Sequence, residues 1–144
     1  ADPNALVQTA LTDDVSIAAQ ADAGFELGDL GTCAWAAGAV YAKVQLTPEL
    51  YAAVRGDYFY EKVAEKNGVT ASAIFWPVTW VAEGTVTLAY QPADHVSARF
   101  EYRHDQAAGD AYFGGDVAVD PITTSFIPNR DLQDTLTLGV TAWF

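Results

Sequence analysis

Polar and apolar side chains alternate along most of this chain, and the alternation breaks at clusters of Gly, Pro and Asp. Successive side chains on a strand point to opposite faces, so a period of two predicts strands with one apolar face. Six are expected, at about 15–27, 32–46, 50–61, 78–91, 95–105 and 133–144. In the last, Leu136, Leu138, Val140, Ala142 and Phe144 share one face, and Thr135, Thr137, Gly139 and Thr141 the other. The tight turns predicted are GDLG at 28–31, the stretch around Pro48, and 92–94. Longer connections are expected at 62–77, which carries Ile74, Phe75 and Trp76 near its end, and at 106–132. Residues 1–14 pattern weakly and read as an N-terminal arm, plug or partial strand.

Two hairpins repeat. Pro48, Arg55, Asp57 and Tyr58 recur as Pro92, Arg99, Glu101 and Tyr102, each displaced by 44 positions. Repetition of a hairpin builds an up-and-down meander, and closing it into a barrel removes the exposed edges.

The charges Asp22, Glu26, Lys43, Arg55, Asp57, Glu61, Glu83, Arg99, Glu101 and Arg103 all fall on the face opposite the apolar one. A soluble sandwich would also show one-sided charge, so that pattern does not decide by itself. The loops add weight: the connections after the second and fourth strands are short and those after the third and fifth are long, as in outer-membrane barrels. An even number of strands, six or eight, would then place both chain ends on the inner side. Tyr58, Tyr60, Trp80 and Tyr102 fall toward the expected outer rim of the apolar face and Tyr90 and Phe144 toward the inner rim, as in a pair of interfacial girdles. The fold class predicted is all-β, an antiparallel up-and-down transmembrane barrel.

Composition narrows the function classes. Hydrophobic residues make up 51 %, but no run of 18 apolar residues occurs, which rules out a spanning helix. The 144-residue chain has no Met and reads as a mature sequence after signal-peptide removal, or as an excised one. A net charge of −12 opposes nucleic-acid binding. One cysteine, Cys33, cannot make an internal disulfide. No HExxH, phosphate-binding loop or CxxC pair is present, and His95 and His104 fall at opposite strand ends. No catalytic residue, metal or cofactor is expected.

The segments at 83–105 and 133–144, together with LTPELYAAVRGDYFYE at 46–61, resemble the hairpins of the putative β-barrel porin (OmpL-like) type, most closely its C-terminal ones. The final Phe144 after an amphipathic strand is similar to the C-terminal strand of bacterial outer-membrane barrels. The resemblance implies a Gram-negative outer-membrane location and passive passage of small polar solutes or ions. Its partners would be the lipid bilayer with its lipopolysaccharide, those solutes, and further copies of the chain. Members of that family are usually longer, with more strands. The six strands could become eight by recruiting 1–14 and part of 106–132, could combine with other copies, or could be the C-terminal part of a longer barrel.

Two readings of the expected lumen network, Lys43, Arg55, Asp57, Glu61, Glu83, Arg99, Glu101 and Arg103, stay open. Cross-strand ion pairs would fill a narrow interior in place of a hydrophobic core. Alternatively, facing charges would form a constriction that tunes which solutes pass. A closed structural or surface-display barrel with partner-binding outer loops is the rival to a pore.

Overall fold

The computed structural model describes residues 4–72, 74 and 78–144. They form nine strands: β1 (Asn4–Ala10), β2 (Val15–Gly28), β3 (Gly31–Thr47), β4 (Leu50–Lys62), β5 (Ala64–Lys66), β6 (Val69–Ala71), β7 (Trp80–Ala93), β8 (Val96–Ala107) and β9 (Leu132–Ala142). Seven make one sheet in the order β1-β2-β3-β4-β7-β8-β9, antiparallel throughout, and β5 and β6 form a separate two-stranded hairpin. No helix occurs among the described residues. Strands β2, β3, β4, β7, β8 and β9 run 11 to 17 residues, enough to cross a bilayer, for which tilted strands need about 9–11.

The sheet is a meander whose neighbours in sequence are neighbours in space. Short turns join β1 to β2, β3 to β4 and β7 to β8 at one rim, and hydroxyls fasten two of them. Thr12 Oγ1 accepts the amide of Val15 (3.1 Å), and Thr47 Oγ1 accepts that of Leu50 (3.1 Å). At the other rim only the β2–β3 turn is short, and Gly31 enters β3 there with φ of +127°, a conformation that favours glycine.

The long connections also rise from that second rim, and the first of them turns over the polar side of the sheet. Its β5–β6 hairpin reverses at Asn67 (φ 56°) and Gly68 (φ 75°), the left-handed pair that suits a two-residue hairpin loop. Cys33 Sγ donates to Ala71 O (3.2 Å), and Lys66 Nζ to Asp29 O (3.3 Å), which docks the hairpin beside the β2–β3 turn. The second, 108–131, contains isolated bridges, Tyr112 with Arg130 and Val119 with Phe126, rather than a further strand. The expected stretch around Phe75 and Trp76 lies outside the described residues.

Burial is inverted relative to a water-soluble domain. The fully buried side chains of largest volume are Glu61 and Asp105, and the buried apolar group is small: Cys33, Ala64, Val78, Ala89 and Ala107. On the apolar face Leu136 is 70 % exposed, Leu138 77 % and Val140 71 %. A sandwich would cover that face with a second sheet, and among the described residues no second sheet lies on it. The apolar face therefore points outward and the polar face inward.

Parity departs from the even-numbered expectation. β1 emerges from the N-terminal arm as a half-length seventh strand paired to the first half of β2. With seven antiparallel strands, β1 and β9 run in the same direction, both toward the short-turn rim, and neither pairs with the other among the described residues.

Candidate functional site: a charged trough

A period of two and the observed register set the polar face out in rows. Asp57 on β4 lies opposite Glu83 on β7, which lies opposite Asp105 on β8, so three acids stand side by side. One row nearer the short-turn rim, about 6.7 Å along the strands, the same strands carry Arg55, Thr85 and Arg103. The next row holds Lys43, Ala53, Thr87 and Glu101, and the one after it Tyr51, Ala89 and Arg99.

Like charges directly across a sheet repel, and the arginine row offsets this by reaching diagonally. Arg103 Nη2 lies 2.9 Å from Glu83 and 2.7 Å from Asp105, and its Nε also donates to Asp105 at 2.9 Å. Arg55 lies 2.7 Å from Asp57 Oδ2, an ion contact without hydrogen-bond alignment, and 3.6 Å from Glu83. Hydroxyls complete the acids, since Thr85 donates to Glu83 (2.7 Å) and Thr87 to Glu101 (3.0 Å). Two cations stand on aromatic rings: Lys43 Nζ is 4.2 Å from the centre of Tyr51, and the Arg55 guanidinium 5.6 Å from that of Tyr41.

The sheet curls so that this face lines a trough. A cavity of about 510 Å³ touches strands from β1, at Gln8, to β8, at Arg99 and Arg103. At the long-loop rim the trough is partly covered. Glu61, fully buried, accepts the Ser72 hydroxyl (2.8 Å) and the amide of Ile74 (3.3 Å), which ties those two residues to β4. Tyr112 of the second loop is half-buried, and its hydroxyl is held above the ordinary tyrosine range by burial first and then by the Asp105 carboxylate.

All eight residues expected in the lumen network lie on the polar face, at different depths. Arg55, Asp57, Glu83 and Arg103 form one connected cluster. Arg99 pairs with Glu101 at 3.4 Å, Lys43 makes no ion pair among the described residues, and Glu61 binds Ser72 and Ile74. Asp105, 2 % exposed, belongs to the cluster and was not expected there. Its parity with Arg99, Glu101 and Arg103 is the signal that places it.

On the apolar face, Tyr58, Tyr60 and Trp80 gather near the long-loop rim, with Tyr58 and Trp80 stacked at 6.0 Å, and Tyr90 lies toward the other rim. Tyr102 sits at mid-height beside Val86 and Leu136, not at a rim. Phe144 lies beyond the end of β9, fully exposed, and Trp143 packs edge-on against His95 at 6.1 Å. The apolar face is not wholly free of charge at its margin. Asp134, on the same face as Leu136, accepts Tyr102 Oη (2.7 Å) and contacts His104 Nδ1 (2.8 Å). His104 thus turns away from its neighbour Asp105, which faces Arg103. No group of three or more His, Cys, Asp or Glu suited to a metal occurs among the described residues.

No curated protein and no solved structure matches the chain. A family model does, over residues 4–143, and its match spans every strand of the meander and the charged trough between them. The chain belongs to the family described as putative beta-barrel porin-2, OmpL-like.

Proposed function

We propose that this chain forms the wall of an outer-membrane pore through which small polar solutes or ions pass passively, without catalysis. The observation that carries the reading is the inverted sheet: an exposed apolar face of spanning length backs onto a trough lined with half-exposed charges. The family's porin character supports it, and so does the make-up of the trough, whose charges are taken up in salt bridges and whose hydroxyls donate to its carboxylates. The apolar face meets lipid, the aromatic residues near the long-loop rim meet the headgroup region and its lipopolysaccharide, and the long loops face outward.

Strand direction constrains how a barrel could close. An all-antiparallel barrel that includes β1 and β9 needs an odd number of further strands between them. Copies inserted in the same orientation would instead meet β9 to β1 along parallel seams, which favours antiparallel completion over a ring of identical copies. Reconstitution of the full-length protein into planar bilayers tests the reading. A persistent ohmic open level is expected, and a tight seal at all voltages, with protein shown to be inserted, would contradict it.

A further inference from the structure

By formal count the polar face is acidic, and Asp22 and Glu26 on β2 keep it so toward the long-loop rim, yet around the 510 Å³ cavity nearer the short-turn rim the balance reverses. The arginine side chains stand up into the trough, 43 % exposed at Arg55, 57 % at Arg99 and 46 % at Arg103. The acids lie beneath them, 21 % exposed at Asp57, 24 % at Glu101, 7 % at Glu83 and 2 % at Asp105. The cavity wall is made from four cations, Lys43, Arg55, Arg99 and Arg103, against two acids, Glu83 and Glu101. Coulomb energy falls with distance, and water screens exposed charge, so the nearest unneutralised groups set the local sign. Lys43 is such a group, standing on Tyr51 with no carboxylate partner among the described residues, and Arg99, 57 % exposed and paired with Glu101 only at 3.4 Å, is the next most loosely held. They reach from β3 and β8 over a floor of Thr87 and Ala89, both buried.

We infer that the trough selects anions, and that small solutes bearing carboxylate or phosphate groups are held between Lys43 and Arg99 on their way through. Guanidinium and ammonium donors lining a passage favour anions, and a guanidinium offers a carboxylate or phosphate two parallel hydrogen bonds. The strongly acidic chain thus carries a cationic stretch around this cavity. The electrical consequence rests on the pore reading above, while binding of the anion does not.

Two measurements on the full-length protein separate the possibilities. Under a KCl gradient the reversal potential should have the sign of chloride preference, and Lys43→Glu with Arg99→Glu should invert it. In detergent, inorganic phosphate should bind the wild type by calorimetry and lose that binding in the double variant, with heat-modifiable gel mobility confirming that the variant is folded. A cation-selective wild type would overturn the inference and leave the pore standing. Absence of any current would overturn the pore, and the phosphate titration would then decide: binding lost in the variant supports the anion site, and no binding to the wild type removes it.

Discussion

Glu83 is the residue on which the charged cluster turns. At 7 % exposure it contacts Arg103 at 2.9 Å and Arg55 at 3.6 Å and accepts a hydrogen bond from Thr85 at 2.7 Å. Glu83→Gln keeps the shape and removes the charge, leaving two guanidiniums over Asp57 and Asp105 alone. The expected cost is about 1–3 kcal/mol, the range for removing a buried hydrogen-bonded partner, read as a lower urea midpoint in lipid vesicles. Arg99→Gln, at an exposed single contact, should cost under about 1 kcal/mol. An equal loss in both variants would contradict the distinction drawn between buried cluster and exposed selectivity residues. The inward direction of Glu83 was legible in the sequence from parity alone. Its partners were not, because Glu83, Asp57 and Asp105 become neighbours only through the β4–β7–β8 register, which no local pattern encodes. Asp105 was legible as well, because it continues the parity of Arg99, Glu101 and Arg103 at the last position of the expected strand.

At the scale of elements, the six long strands and their two faces were readable because a half-buried strand writes its orientation with a period of two. The β5–β6 hairpin was harder. Its Asn67–Gly68 pair is a strong turn signal, but it is flanked by three-residue strands too short to show a period. β1 was weak for a related reason, being a half-length edge strand. The 108–131 loop carries a pH response that belongs to this scale. Asp120 accepts the amides of Ile122 (2.7 Å) and Thr123 (3.2 Å), and those bonds, with the Ile122 amide foremost, hold its carboxyl below the ordinary 3.8. A lowered carboxyl favours the folded turn fully above the ordinary value and stops doing so as pH falls through the lowered one. Amide exchange at Ile122 and Thr123 should therefore be slow at neutral pH and accelerate, beyond the intrinsic trend, only below pH 3.8. Asp120→Asn should remove most of that dependence, and an unchanged profile would show that the turn is held by other contacts.

For the whole molecule, the decisive feature is the inversion of polar and apolar surface. A buried interior made of Glu61, Asp105, Thr85 and Thr87 beneath an exposed face of Leu, Val and Tyr is unfavourable in water and favourable in lipid. One-sided charge in the sequence was compatible with a sandwich as well as a barrel. The choice required knowing that, among the described residues, no second layer covers the apolar face, which is a tertiary fact. Strand parity was equally out of reach, since it depended on whether 4–10 pairs with β2. The central claim is that the apolar face meets lipid and the polar face meets water. Nitroxide labels placed singly from 135 to 141 on β9, in a Cys33→Ser background and reconstituted in vesicles, test it most directly. Positions 136, 138 and 140 should be accessible to oxygen in the bilayer, and positions 135, 137, 139 and 141 to a water-soluble nickel chelate. A reversed alternation, or none, would contradict the account.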